Sequence, residues 1–240
     1  MPDLLKNKMV WLVVVILVGG GVWLATKDNN NGSSTKTATS VNKELQDKCM
    51  TEVNDAIFCK FAGAFGAASA YKVTANTTAT EGTSVLEISS DASNNSQMVV
   101  KQNGQEQGNV IIFSGVTYSK DYTDGKWFKY SSSDVNKPTV VDLKKEFAKG
   151  DFKTDSGQKI DYVKIGTEKC ANLTCYKYQI KDPSKPTEEG FIWFDTKDYL
   201  LRRLTIQDSG TSTDMSLTYG SVNISVPSPT KDVPSASPSQ

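Results

Sequence analysis

Two hydrophobic periodicities follow one another along the central part of the chain. Apolar residues first recur every four positions, at Leu45, Cys49, Val53, Ile57, Phe61 and Phe65. This spacing places them on one stripe of an α-helix and predicts a long helix over 41–66. Ser40 or Asn42 is a suitable N-cap for it. From Tyr71 onward, short β-branched runs are separated by Gly, Asn, Asp or Ser, a pattern typical of strands.

The order of these segments predicts the fold class. Asp124 and Gly125 lie between two aromatic runs, which is a strong hairpin signal. A short helical insertion is predicted at 138–150, since Pro138 favours a first helical turn and Gly150 an end. The chain is therefore expected to be mainly β (α+β): a half-open antiparallel β-barrel or curved sheet of about ten strands, with the long N-terminal helix and the insertion as a lid.

An uncharged apolar segment, Met9–Ala25, precedes this region. As a helix it spans about 25 Å, against a hydrocarbon core of roughly 30 Å. Lys6 and Lys8 lie before it, which predicts a cytoplasmic N-terminus. A cleaved signal peptide would end at the small residues around Gly19 and Gly21. Because the apolar run resumes at 22–24, a retained transmembrane signal anchor is favoured.

Composition completes the predicted organisation. Residues 1–8 are cytoplasmic, 9–25 span the membrane, 26–40 form a flexible Asn/Ser/Thr-rich linker, 41–227 form one extracytoplasmic domain, and 228–240 form a disordered Pro/Ser tail. The protein is therefore expected in the cell membrane as a single-pass protein, with its main domain outside the cytoplasm.

The charged and catalytic residue types limit the function. The chain has 27 basic and 27 acidic residues and no histidine. This balance gives no basic field for nucleic acid, and the lack of histidine removes the commonest proton-transfer group. No Gly-rich phosphate loop follows a strand, and Asp195 and Asp198 fit turn chemistry better than a calcium loop. We expect neither an enzyme nor a cofactor, and a hydrolase is the least favoured class.

The four cysteines all lie in the part predicted to be exported, which favours disulfides. Cys170 and Cys175 flank a predicted hairpin loop and are expected to form a bond. Cys49 and Cys59 would lie about 15 Å apart on a straight helix, too far for a bond. Either the helix breaks near Asn54, or these two thiols stay free. The spacings do not fit a zinc site, so no metal is predicted.

Aromatic and aliphatic patterns in the second half resemble the lipoprotein-carrier (LolA-like) superfamily, which includes the actinobacterial-type lipid-binding lipoproteins. The resembling positions are Trp193, Asp195, Leu201, Arg202 and Leu204, then Tyr219, Val222, Ile224, Val226 and Pro227, together with a central hairpin at Tyr118, Trp127 and Tyr130. The resemblance implies a half-open barrel with a helical lid over an apolar cavity that holds acyl chains or lipids. The chain lacks the lipidated cysteine of the actinobacterial group.

The hairpin at 190–206 is apolar on both faces. Phe191 and Trp193 share one face of its first strand, and Ile192 and Phe194 share the other. Exposing each aromatic ring would forgo roughly 2 kcal/mol of burial, so both faces need a cover. With the resemblance, this predicts a cavity wall, whose candidate residues are Tyr118, Trp127, Tyr178, Phe191, Trp193, Leu201 and Leu204.

The predicted function is a membrane-anchored extracytoplasmic protein that binds a lipid, a lipoprotein acyl chain or another hydrophobic ligand. The alternative is an extracytoplasmic interaction or sensor domain whose core is filled by its own side chains and takes no ligand. A protein partner is not indicated by the sequence.

The anchor can be tested by mass. We expect the mature membrane protein to retain Met9–Ala25, because the apolar run is long enough to remain in the bilayer. External protease on intact cells should remove residues beyond the linker. Recovery only of protein that begins near Val22 would replace the anchor with a cleaved signal peptide.

Overall fold

A computed structural model describes residues 41–65, 68–131, 137–143, 152–154 and 156–233. The predicted membrane segment 9–25 and linker 26–40 lie outside these residues. Within the described ranges, no helix has both the length and the apolarity that a membrane crossing requires.

Two short helices stand where one long helix was predicted. Helix α1 is Lys43–Glu52 and α2 is Ala56–Ala64. Between them Asn54 adopts a φ of 61°, a left-handed conformation that asparagine tolerates better than most residues. Each helix has its own N-cap: the Asn42 side chain accepts from the backbone N–H of Leu45, and Asp55 from those of Ile57 and Phe58.

The helix break resolves the cysteine question. It turns α2 back against α1, so that Cys49 and Cys59 form a disulfide with their Cα atoms 5.3 Å apart. The predicted bond between Cys170 and Cys175 is also confirmed, across the tip of a hairpin. Among the described residues no cysteine is free.

The strands form one open curved sheet. Their bounds are β1 Tyr71–Ala79, β2 Gly82–Ser90, β3 Ser96–Gln102, β4 Gln105–Phe113, β5 Val116–Lys120, β6 Trp127–Tyr130, β7 Asp161–Cys170, β8 Leu173–Lys181, β9 Glu189–Asp195, β10 Leu201–Asp208, β11 Thr211–Tyr219 and β12 Thr230–Asp232. The order across the sheet is β12-β6-β5-β4-β3-β2-β1-β11-β10-β9-β8-β7. The described part therefore has 12 strands rather than about ten, and the sheet does not close into a barrel.

Neighbouring strands are antiparallel, except for the parallel pair β12 and β6. The predicted hairpin at Asp124 and Gly125 joins β5 to β6, and the doubly apolar hairpin joins β9 to β10. Strands β7 and β12 form the two edges. A bulge between Lys164 and Gly166 interrupts the pairing of β7 with β8, a feature that discourages edge-to-edge association.

Helices α1 and α2 cover one face of the sheet, which we call the inner face; the opposite face is the outer face. The main core lies between the helices and the inner face. Its fully buried members include Phe65, Val73, Leu86, Ile88, Tyr178, Phe194, Leu201 and Met215. The predicted helical insertion lies mostly outside the described residues. Leu143, near its start, is helical and buried in this core.

A C-terminal strap, residues 221–232, begins against the outer face and ends as a strand at the sheet edge. Its Ile224 and Val222 pack with Ile111 and Tyr118, and β12 extends the sheet beside β6. Residue 228 was predicted to begin a disordered tail, whereas the structure continues in ordered pairing to β12. The reason is tertiary: a Pro/Ser-rich segment gains partners from an existing strand edge.

Lys231 fixes the end of this strap by charge. Its Nζ donates to Asp121 and, at 2.9 Å, to Asp124. The hydrogen bond from Lys231 lowers the pKa of Asp121 to about 2, and the two carboxylates raise the pKa of Lys231. The ion pair contributes above the ordinary Asp pKa of about 4 and is lost as pH falls through about 2. The strap is thus held over the whole neutral range.

Removing the two disulfides should have unequal effects. Replacing Cys49 and Cys59 by alanine should lower the free energy of unfolding by about 3 kcal/mol, and replacing Cys170 and Cys175 by about 2 kcal/mol, because the first pair closes a longer loop. Denaturant unfolding of the two double variants measures the difference. A larger loss from the Cys170 and Cys175 pair would contradict this ranking.

Candidate binding face

The helix-covered part of the inner face is an aromatic core. Phe61 of α2 stacks on Phe194 of β9, with ring centroids 4.7 Å apart. Tyr178 of β8 stacks on the same ring at 5.4 Å. Phe58 stacks on Tyr162 of the edge strand at 4.2 Å. This half of the interior is therefore filled by the protein's own rings.

Tyr178 connects this core to the helix break. Its hydroxyl donates to Asp55 Oδ2 at 3.0 Å, while Asp55 Oδ1 caps α2. Burial raises the pKa of Tyr178 above its ordinary value of 10.0, and the hydrogen bond to Asp55 raises it further. Burial, with the nearby Asp142 charge, raises the pKa of Tyr71 to about 12. Both tyrosines are neutral hydrogen-bonding groups at physiological pH.

Leu201 and Leu204 both reach the inner face although they lie three residues apart. Strict alternation would place them on opposite faces. The pairing of β10 with β9 shifts between Leu201 and Arg203, so Leu201 pairs with Phe194 and Leu204 with Ile192. Both leucines join the main core, at 0% and 9% exposure. The bulge allows Leu201 and Leu204 to lie on the same face, which strict alternation along a strand would not permit.

Phe191 and Trp193 share a face, as predicted, but it is the outer face. They form a cation–aromatic cluster with Lys177 and Arg203, whose charged groups each lie 5.0 Å from the Trp193 ring centroid. Trp193 Nε1 donates to Glu168. Trp193 is only 4% exposed, so long charged side chains cover this face.

Tyr118 and Trp127 also differ from the predicted wall. They lie on the outer face and pack with Ile111 and Ile224 under the strap. Four of the seven predicted wall residues therefore lie on the outer face: Tyr118, Trp127, Phe191 and Trp193. The other three, Tyr178, Leu201 and Leu204, lie on the inner face. The physical reason is that both faces of these strands are apolar, so alternation groups residues without telling which group meets the helices.

Asp195 and Arg202 explain the polar end of the β9–β10 hairpin. The buried Asp195 carboxylate accepts from the backbone N–H groups of Lys197 and Asp198 and from Arg202, with Arg202 Nη2 at 2.8 Å. The Arg202 guanidinium also lies over the Tyr219 ring. The turn role predicted for Asp195 is confirmed, and its charge has a fixed partner.

The inner face continues beyond the aromatic core onto β3–β6. The register places Met98, Val110 and Phe128 in one row and Ile112 and Tyr130 in the next. Val110 is buried, and the other four are half-buried. Among the described residues, the main core extends in this direction to Val100 and Met98. The inner face of β3 and β4 is thus apolar beside the helix-covered core. Farther along, β5 contributes Thr117 and Ser119, and the Lys231 ammonium lies 4.3 Å from the Phe128 ring centroid.

Sequence reasoning missed these positions. The β-branched runs after Tyr71 predict strands here, but Val110, Ile111, Ile112 and Phe113 are consecutive and apolar, so their sequence alone cannot assign faces. The signal that would have found them is the pairing partner: Ile111 opposes Tyr118, whereas Ile112 opposes Thr117.

This inner face is suited to apolar contact. The inner-face positions of β1, β2 and β11 carry no charge. Within the described ranges, no three His, Cys, Asp or Glu side chains come together as a metal site would require. The arrangement can hold a hydrophobic chain by burial.

Comparison with solved structures finds similar folds. The lipoprotein LppX of Mycobacterium tuberculosis is 14% identical, over 77% of this chain and 100% of that chain, with a TM-score of 0.45. LprF of Mycobacterium bovis is 13% identical, over 79% and 99%, also at 0.45. A LolA-superfamily protein of Nitrosomonas europaea is 11% identical, over 77% and 95%, at 0.29.

One of these neighbours belongs to the LolA superfamily, which the sequence resembles. The similarity is one of fold. At TM-scores below 0.5, it says nothing about what this chain binds. No protein-family model matches the chain, and no curated protein matches it at the similarity sought.

Tyr178→Phe tests the link between core and helix break. We expect the free energy of unfolding at pH 7 to fall by about 2 kcal/mol, because a buried hydrogen bond to a carboxylate is lost. Above pH 10 the unfolded chain ionises Tyr178 while the folded chain resists, so wild-type stability falls with pH and the variant's should fall less steeply.

The matched control is Tyr176→Phe, which removes the same atom from a ring facing the same core. Denaturant titrations at pH 7 and pH 11 compare the proteins. If the free energy of unfolding falls equally between pH 7 and pH 11 for wild type and Tyr178→Phe, the raised pKa of Tyr178 does not contribute to stability.

Proposed function

We propose that the domain is an extracytoplasmic binding domain for a lipid or other hydrophobic ligand, held beside the membrane by the anchor at 9–25. One observation carries the proposal. Past the helix-covered core the inner face carries the half-buried apolar side chains Met98, Ile112, Phe128 and Tyr130 on β3–β6, with Lys231 over one of them, Phe128. The ligand lies along these strands, and the lipid chemistry is what the sequence resemblance implies.

The self-filled aromatic core defines the other end of the ligand site. Phe58, Phe61, Tyr178 and Phe194 leave the helix-covered half to the protein itself. Of the seven residues first predicted to contact a ligand, Tyr178 and Leu201 are fully buried. They pack beneath the ligand site and do not contact the ligand directly. We expect the ligand to contact the half-buried inner-face residues of β3–β6.

The same core supports a second candidate function. An interaction or sensor domain needs a rigid interior and no ligand, and the stacked rings around Phe194 provide one. Under this alternative the half-buried residues on β3–β6 are packing surface only. The two functions differ in whether the domain takes up an apolar compound saturably.

Binding of an environment-sensitive apolar dye distinguishes them. Titration of the domain beginning at Val41 should give a saturable signal. Met98→Glu should weaken dye binding at least about tenfold, because it places a charge on the inner face of β3. Mass spectrometry of organic extracts from the same preparation should find an enriched apolar compound.

Gln97→Glu is the matched control, because it adds the same charge at the adjacent position on the outer face. It should leave dye affinity unchanged, and circular dichroism should show both variants folded. Non-saturable dye uptake together with extracts free of lipid would leave the interaction domain as the function.

A further inference from the structure

Strand β7 is an open edge of the sheet. Among the described residues, β7 pairs with β8 and with no other strand. It is ten residues long, and two of its β-branched side chains, Val163 and Ile165, are 39% and 53% exposed. An edge of this kind can accept a further strand, because main-chain hydrogen bonds continue the sheet into the added segment.

The other edge of the same sheet shows how this fold holds an added strand. There the three-residue β12 pairs in parallel with β6. Lys231 of the added strand bonds to Asp121 and Asp124, which lie in the turn between β5 and β6. A short extended segment is thus held at that edge by strand pairing together with complementary charge. Within the described ranges, no segment covers the β7 edge in this way.

The inner-face side of the β7–β8 edge carries cations and no acids. Its positions by register are Tyr162, Lys164, Thr167 and Lys169 on β7 and Thr174, Tyr176, Tyr178 and Ile180 on β8. Lys164 Nζ lies 4.8 Å from the Tyr176 ring centroid. Neither Lys164 nor Lys169 forms an ion pair with a carboxylate of the described residues. Glu168, on the outer side, is already paired with Lys177 at 3.5 Å.

We propose that β7 is the docking edge for an extended segment of another protein, in which acidic residues alternate with β-branched residues. Because side chains alternate along a strand, such a segment places its acids on one side of the sheet and its apolar residues on the other. The acids lie beside Lys164 and Lys169 on the inner-face side, and the β-branched residues lie beside Val163 on the outer side.

Charge argues against this chain itself as the occupant. Residues 1–40 contain four lysines and two aspartates, and residues 234–240 contain no charged side chain. A second copy of β7 would bring the same lysines to the edge, and the bulge between Lys164 and Gly166 discourages pairing of like edges. An acidic segment meets complementary charge, which favours its association and its register. The docking edge is separate from the surface of the proposed function and does not depend on ligand binding there.

Peptide binding to the full chain in nanodiscs of zwitterionic lipid tests the proposal. Three fluorescein-labelled nine-residue peptides serve as probes: one of alternating valine and glutamate, one with lysine in place of glutamate, and one with proline in place of valine. The proline peptide keeps the acids but lacks main-chain donors for a sheet. We expect the valine–glutamate peptide to bind at least about tenfold more tightly than either of the others in fluorescence anisotropy.

Lys164→Gln should weaken binding of the valine–glutamate peptide about 2- to 5-fold, because one exposed charge pair is lost. It should not weaken binding of the lysine peptide. The matched control is Lys72→Gln, which removes the same charge from an exposed outer-face position of β1 and should leave the affinity unchanged. Thermal unfolding of both variants confirms that the domain remains folded.

Hydrogen exchange locates the binding. The saturating valine–glutamate peptide should slow amide exchange within 161–170 and leave β1 unchanged. Equal binding of the acidic and lysine peptides, no binding, or binding without this protection overturns the proposal. Protection of 161–170 without peptide also overturns it: if it grows with protein concentration, the edge belongs to a second copy, and if it appears only in nanodiscs of anionic lipid, the lysines contact headgroups.

Discussion

The stacking of Phe61 on Phe194 is the contact around which the rest of the inner face is arranged. It exists because α2 is turned back against α1, a geometry held by the Cys49–Cys59 bond and by the left-handed Asn54. Tyr178 joins the same stack and also fixes the start of α2 through Asp55. Covalent, capping and aromatic interactions thus converge on one position of the helices over the sheet.

The β9–β10 hairpin shows how one strand pair can be apolar on both faces. Inward, Ile192 and Phe194 meet the helices and rings of the main core. Outward, Trp193 is covered by Lys177 and Arg203, and its indole N–H is satisfied by Glu168. Arg203 is itself paired with Asp214 at 2.7 Å. Water is excluded from the outer aromatic ring by charged side chains rather than by a second layer of structure.

Local signals in the sequence were sufficient for much of the fold. The four-residue apolar spacing identified the helical region, Asp124 and Gly125 identified a hairpin, and the distance between Cys49 and Cys59 on a straight helix left a break near Asn54 as one of two possibilities. The choice between them needed the tertiary packing of α2. The parallel pairing of β12 with β6 could not be predicted, because a Pro/Ser-rich segment gives no local signal of the distant strand that it will pair with.

The candidate site was less accessible to sequence reasoning. Tyr178, Leu201 and Leu204 lie inward, but Tyr118, Trp127, Phe191 and Trp193 lie outward. Alternation defines sets of residues on a common face, and the bulge at Leu201 changes even that rule. Which set faces inward depends on contacts between segments far apart in the chain. The β3–β6 residues could therefore be found only from the strand register.

The pairing of β1 with β11 has a consequence for how the domain is made. These neighbours are joined in register from Tyr71 with Tyr219 to Thr78 with Ser212, so the centre of the sheet connects segments that are synthesised far apart in time. Such non-local pairing slows folding, because the chain loses the entropy of closing a long loop before the stabilising contacts form. During synthesis β1 has only β2 as a partner, and its other edge stays open until Tyr219 has been made. A nascent chain halted before β11 would present that central edge to other proteins, so the domain is protected from aggregation only once its synthesis is complete.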